Sequence, residues 1–179
     1  MSAITRTVRF WRFQLSYLGS ETPTISLRRA TLDDAQLIFL WRNDIDVREV
    51  SRLSRKVEWE EHAVWLSTRL EPGHAESVWI IEKDATPVGS ARIEQYDDDD
   101  RSEISIVLEK KQRNHGIGQT AIKQLADIIR SSGRIPVAFV RPDNKRSVKA
   151  FQKAGFTLSS QPDDASLWQL EAGVRDDRG

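Results

Sequence analysis

Glu103-Ile104-Ser105-Ile106-Val107-Leu108, Glu109-Lys110-Lys111-Gln112-Arg113-Asn114-His115, Gly116-Ile117-Gly118: the run changes character twice. Residues 103–108 alternate polar and apolar, as a half-buried strand does. Residues 109–115 are polar, and Lys110, Lys111 and Arg113 make them basic. Gly116 and Gly118 then open a helix over about Ile117–Ile129. Ile117, Ala121, Leu125, Ile128 and Ile129 fall on one side of it, and Gly133 lies just past its end. Glycines at a helix mouth let a ligand approach the backbone closely, and the first N–H groups and the helix dipole favour an anion. A pyrophosphate is the expected ligand group. A Gly-rich strand–helix turn without a ligand has the same spacing.

Working outward, Ile25–Arg29 reads as a short strand and Thr31 as an N-cap, with Asp33 and Asp34 in the first turn of a helix whose apolar face is Leu37, Ile38 and Trp41. Residues Asn43–Lys56 are polar with few regular signals. A second helix spans about Glu58–Leu70, carrying Trp59, Ala63, Leu66 and Leu70, and Pro72-Gly73 stops it. Val78–Lys83 and Val88–Tyr96 are strands joined by the turn Asp84-Ala85-Thr86-Pro87. Asp97–Asp100 is a solvated hairpin loop, since a calcium loop would need alternating ligands and a glycine. After the central helix come a strand, Ile135–Val140, and a helix, Asn144–Ala154, with Val148 and Phe151 inward and Gly155 at its end. A hairpin of Phe156–Ser159 and Ser166–Leu170 closes the fold. Residues 1–24 form an extension in which Ile4, Val8, Trp11, Leu15 and Leu18 recur at helical spacing opposite Arg6, Arg9 and Arg12. Packing of this basic amphipathic segment on its own domain is preferred over a membrane surface or a partner. The domain proper is expected over residues 25–171, with a polar tail at 172–179.

Composition narrows the function. The 179 residues are 39% hydrophobic and 30% charged, which is globular, and 27 Lys plus Arg balance 27 Asp plus Glu. That balance argues against a nucleic-acid binder. There is no cysteine, so disulfides, thiolate zinc sites, iron–sulfur clusters and an acyl-cysteine intermediate are excluded. No metal site is expected. With no apolar run long enough for a membrane span and no secretory leader pattern, a cytoplasmic protein is the default.

Two phosphate-binding motifs fit the central run. Gly116-Ile117-Gly118-Gln119-Thr120-Ala121 fits the dinucleotide fingerprint G-x-G-x-x-G/A. That fingerprint needs an acid about 20 residues on, where Phe139-Val140-Arg141 has none, although Arg141 could take a 2′-phosphate. It should also open a βαβ unit, whereas this strand follows an antiparallel meander. The other motif is R-x-x-G-x-G, from Arg113 to Gly118. This segment resembles motif A of the GCN5-related N-acetyltransferases, the GNAT superfamily. Asn144-Lys145-Arg146-Ser147, followed by Phe151 and Ala154-Gly155-Phe156, resembles that superfamily's N-x-x-S…G-F segment, and Leu27-Arg28-Arg29-Ala30…Asp33-Asp34-Ala35 is typical of its opening. The resemblance covers about Ile25 to Leu170.

The resemblance implies an α+β fold, a mixed, mostly antiparallel central sheet flanked by helices. Strands 103–108 and 135–140 would splay apart, and acetyl-CoA would lie between them. Ile106, Val107 and Leu108 would line the cofactor arm. The backbone of Arg113, Asn114, His115, Gly116, Ile117 and Gly118 would hold the pyrophosphate, with Asn144 and Phe151 as further contacts; Asn144 could equally be a helix N-cap. The reaction would be direct attack of an amine on the thioester, with Glu103 as candidate base, the alternative for Glu103 being a strand-edge glutamate. Phe151 stands where many members carry a tyrosyl acid, and a phenyl ring cannot donate a proton.

Within the superfamily, Trp41-Arg42-Asn43, Val47-Arg48, Ser51 and Glu61-His62…Trp65 are similar to a branch acting on nucleotide-linked amino sugars, including the pseudaminic-acid pathway enzyme. WRN patterns also occur in the branch that acetylates N-termini of ribosomal proteins. Arg42, Asn43, Arg48, Ser51 and His62 are therefore the candidate acceptor residues; as plain structure, Trp41 and Trp65 would be core and His62 a packing residue. The expected partner is a small-molecule amine, a sugar nucleotide in the favoured branch, and a homodimer is left open. A non-catalytic acyl-CoA-binding module is the alternative from another class.

Overall fold

Among the residues that the computed structural model describes (22–74, 76–95, 100–160 and 168–172), the strands form one seven-stranded sheet. The expected amphipathic helix in residues 1–21, most of the acidic turn at 97–100 and the tail beyond 172 lie outside the described residues. The strands are β1 (Ile25–Arg29), β2 (Glu76–Lys83), β3 (Thr86–Gln95), β4 (Arg101–Leu108), β5 (Ile135–Val140), β6 (Phe156–Ser160) and β7 (Trp168–Ala172), in the spatial order β1-β2-β3-β4-β5-β7-β6. Every neighbouring pair is antiparallel except β4 and β5. The helices are α1 (Ala35–Asn43), α2 (Ile45–Glu49), α3 (Trp59–Arg69), α4 (Ile117–Ser131) and α5 (Lys145–Lys153).

Strand alternation splits the sheet into two faces. Trp79 and Ile81 of β2, Ala91 and Ile93 of β3, Ile104, Ile106 and Leu108 of β4, and Ala138 and Val140 of β5 pack under α4 and α5. The stripe Ile117, Ala121, Ile122, Leu125, Ala126 and Ile129 on α4 is wholly buried against them. The opposite face is covered by α1 and α3 in a smaller core of Ala30, Ile38, Trp41, Leu66, Val78 and Ile80. Glu103, Ser105 and Val107 of β4 share that second face with Ser90 and Arg92 of β3.

Several local expectations need correction. Leu37 is exposed; Ile38 and Trp41 are the buried residues of α1, with Ala35 packed beside them. Asp34 does more than favour the helix dipole. Its carboxylate accepts the Thr31 backbone N–H at 2.8 Å and a bidentate pair from Arg28 at 2.8 Å each, while Arg28 also donates to Glu82. Ala172 belongs to β7 rather than to a tail, and it is buried opposite Phe156. The polar stretch after Asn43 holds α2, a helix of five residues with none buried. A helix that short is not stable by itself; side chains from elsewhere fix it.

One glycine controls the sheet centre. A Cβ on Gly89 would lie 2.3 Å from the Val107 carbonyl oxygen, so β3 approaches β4 more closely here than any other residue would permit. Gly89 stands opposite Leu108, at the end of the strand that borders the site.

Candidate active site

β4 and β5 pair for only three residues, Arg101 to Glu103 against Ile135 to Val137. Beyond that β5 continues along β7, and β4 runs on to Leu108 along β3 alone. The result is a V-shaped opening. Ile104–Leu108 present main chain on one side and Ala138–Val140 lie on the other. Arg134 pins its apex, donating from Nε to Ser102 Oγ and from Nη2 to the Arg101 carbonyl, both at 2.8 Å.

The start of α4 closes the wide end. Asn114 and Gly116 both have left-handed backbone, φ 68° and 80°, which turns the chain sharply into the helix. Gly116 is the N-cap and has no side chain to offer, and the first intrahelical bond runs from Thr120 N–H to the Gly116 carbonyl. The first-turn N–H groups therefore have no intrahelical acceptor. At Gly118 a Cβ would sit 3.5 Å from Leu108 Cδ1 and 3.8 Å from Ile106 Cδ1, which places this turn directly over the free half of β4. An uncapped helix start above an open strand pair suits a diphosphate followed by an extended polar arm.

The side chain of Arg113 takes no part in that surface. It is 8% exposed and makes three bonds: Nε to the Leu108 carbonyl at 3.0 Å, Nη1 to Asp46 at 2.8 Å and Nη2 to Asp44 at 3.1 Å. Lys110 also pairs with Asp46, at 3.1 Å. Two of the cations counted toward an anion site are thus spent on α2. His115 and Asn114 are exposed. Asn144 caps α5, its Oδ1 accepting the Ser147 N–H at 3.1 Å. Phe151 is 2% exposed and stacked edge-on against Phe156, centroids 5.1 Å apart; its ring is core rather than cleft.

On the second face, Glu103 sits at the apex of the opening, 6% exposed, and its Oε1 accepts from Arg52 Nη2 at 3.0 Å. The Arg52 guanidinium also lies over the Phe139 ring at 5.2 Å. Of the five candidate acceptor residues, three are engaged internally. Asn43 clips Val57 with two bonds of 2.9 Å, Nδ2 to its carbonyl and its N–H to Oδ1. Ser51 Oγ donates back to the Val47 carbonyl. His62 is 3% exposed, packed among Phe39, Trp59 and Trp65, and its Nε2 donates to the Ala35 carbonyl at 2.8 Å, so it belongs to the core.

Arg42 and Arg48 differ. Arg42 Nη2 donates to the Leu53 carbonyl at 2.7 Å, but among the described residues no acceptor reaches buried Arg42 Nη1 or Arg48 Nε. Burial lowers the pKa of Arg42, and the neighbouring charges of Arg92, Arg55 and Arg48 lower it further. Arg55 itself is neutralised by Glu61. Sequence reasoning picked Arg42 and Arg48 but missed Arg52 and Arg92, which reach the site only through loop folding and β3 pairing. Among the described residues no group of His, Asp or Glu could hold a metal ion, and no helix is long and apolar enough to cross a membrane.

A family model described as an acetyltransferase (GNAT) domain matches residues 24–157. The chain belongs to the GNAT acetyltransferase family. No curated protein matches it. Solved structures share the GNAT fold. A domain from Methanocaldococcus jannaschii aligns with TM-score 0.74 at 24% identity, over 86% of this chain and all (100%) of that one. A Salmonella typhimurium acetyltransferase solved with acetyl-CoA aligns with TM-score 0.70 at 19%, over 87% and 96%. Spermidine N-acetyltransferase from Vibrio cholerae, solved with CoA and spermine, aligns with TM-score 0.71 at 13%, over 82% and 92%. The competing dinucleotide fingerprint fails on this GNAT architecture, where β4 does follow an antiparallel meander of β1, β2 and β3. β4, α4 and β5 do form a parallel unit, but its ladder is three residues long inside an antiparallel sheet, and Arg141 is held bidentately by Asp143.

Proposed function

We propose that this domain transfers an acetyl group from acetyl-CoA directly to the primary amine of a phosphate-bearing acceptor, a nucleotide-linked amino sugar. The observation that carries the cofactor half is the opening between β4 and β5 under the uncapped start of α4. The pyrophosphate lies against the backbone of residues 113–118, and the pantetheine arm lies along Ile106, Val107 and Leu108, completing the interrupted ladder as a strand would. The acetyl carbonyl then reaches the apex beside Glu103.

There the acceptor arrives as an ammonium ion. It exchanges with Arg52 as the cationic partner of Glu103 and gives the carboxylate its proton. The amine nitrogen attacks the thioester carbonyl; the C–N bond forms, the C–S bond breaks, the second proton of the attacking nitrogen passes through water to the departing CoA thiolate, and Glu103 releases its proton to solvent. Backbone N–H groups of β4 that lack a β5 partner suit the developing oxyanion. With no cysteine in the chain, no acyl-thiol intermediate intervenes.

Arg42 and Arg48 support the acceptor class. Buried guanidinium donors without partners, in a field already positive, are costly unless an anion completes them. A phosphate matches a guanidinium bidentately, which an ammonium cannot reproduce. Arg48→Lys should raise KM for the sugar nucleotide and leave acetyl-CoA affinity unchanged. The test is thioester consumption with acetyl-CoA against nucleotide-linked amino sugars, short peptides and polyamines. Turnover of peptides or polyamines with none of the sugar nucleotides overturns the acceptor assignment. Thioester stability with every amine, despite CoA binding, would make this a non-catalytic acyl-CoA module.

A further inference from the structure

We infer that Arg113 acts as a positioning residue that locks the acceptor-side segment 44–52 to the cofactor loop, instead of binding phosphate. The inference rests on the reading that residues 113–118 cradle the CoA pyrophosphate. Three facts carry it. The guanidinium is buried and bonded on three sides, to the last carbonyl of β4 and to one carboxylate at each of positions 44 and 46. Asp44 is also the N-cap of α2, accepting the Asp46 N–H at 3.0 Å, so the same ion pair starts that helix. And α2 buries none of its own residues; the Arg113 and Lys110 bridges and the Asn43–Val57 clip hold the helix end of the segment, while Arg52 on Glu103 holds its far end.

From Asp44 the segment runs through Arg48 to Arg52, whose guanidinium touches Glu103. One connected path thus joins the pyrophosphate loop, the Arg48 side chain and the candidate base. Any ligand that tightens residues 113–118 must tighten 44–52 through Arg113, because the backbone of Arg113 is part of the first and its side chain part of the second. Coupling of this kind is reciprocal and usually worth roughly 5- to 150-fold in affinity. Removing one member of the buried cluster leaves a charge uncompensated, so the aspartates, which touch no proposed ligand, are the better sites to change.

The experiment is hydrogen–deuterium exchange over residues 44–52 in the full chain, with and without saturating CoA, for wild type, Asp46→Asn and Asp44→Asn. CoA affinity is measured calorimetrically on the same samples. Asp46 is the more exposed carboxylate, so Asp46→Asn keeps the test alive should Asp44→Asn fail to fold. Wild type should show at least roughly fivefold slower exchange in 44–52 when CoA is bound, and the variants should lose most of that protection while still binding CoA. Protection of equal size in wild type and Asp46→Asn overturns the role of Arg113. CoA binding to wild type without any protection of 44–52 overturns it too. If CoA does not bind wild type at all, the cofactor reading fails and takes this inference with it.

Discussion

Glu103 and His62 show how much a residue's meaning depends on what the fold puts beside it. Glu103 stands in the strand where it was expected, yet its partner Arg52 comes from a loop that carries no periodic signal. Glu103→Gln keeps the shape and removes the base; kcat/KM for acetyl transfer should fall by roughly 10²–10⁴-fold, and a loss under about tenfold would move the role elsewhere. His62 stands among the candidate acceptor residues by sequence, but its ring is enclosed by Phe39, Trp59 and Trp65, and the Phe39 contact was invisible because Phe39 sits on a different helix. Burial holds the His62 imidazole below its ordinary value near 6.5. The unfolded chain then binds a proton near that pH while the folded chain does not, so stability should decline as pH falls below 6.5, levelling off once the folded form also protonates. Replacing the ring with His62→Phe should flatten this part of a denaturation-midpoint profile between about pH 7.5 and about 5.5. Asp34 acts in a separate window: Arg28 holds its carboxyl below 3.8, so its contribution is present above that pH and is lost only in stronger acid.

At the scale of elements, strong periodicity was readable and borrowed stability was not. The stripe on α4 was plain in the residues, because burial of one face imposes a regular spacing; β4 was legible as a strand, although Ser102, Glu103 and Ile104 are buried in succession and both its faces are covered. The helix α2 was hidden, since five polar-flanked residues carry no such spacing and their position comes from Arg113, Lys110 and Asn43. The close approach of β3 to β4 at Gly89 was likewise unreadable, because it depends on a cross-strand carbonyl. Gly89→Ala should force the two strands apart beside Leu108, lowering the unfolding midpoint and weakening CoA binding together. Truncating the centre of the α4 stripe with Leu125→Ala should cost about 2–5 kcal/mol in denaturant unfolding. A cost below about 1 kcal/mol would mean that α4 is not packed as described.

For the whole molecule, the order of elements carried the family, while the splay of β4 from β5 makes it a catalyst in the present account. The proposed acceptor side draws on α1, the segment between α1 and α3, and β3, where tertiary contacts, not sequence spacing, bring Arg42, Arg48, Arg52 and Arg92 toward one face. A chain without cysteine that binds both substrates at once should give intersecting initial-rate plots at several fixed amine concentrations; parallel lines or a trapped acetyl-enzyme would rule out direct transfer. The most direct test is calorimetric titration of acetyl-CoA into wild type and Gly118→Trp. A Cβ at 118 meets only ordinary contacts, so the variant should fold, while an indole there fills the space over Ile106 and Leu108. Wild type should bind at one site, and the variant, with an unchanged unfolding midpoint, should bind at least roughly tenfold more weakly, a loss of about 1.4 kcal/mol or more. Equal acetyl-CoA affinity in the two proteins, or binding of NADPH in place of acetyl-CoA, would contradict it.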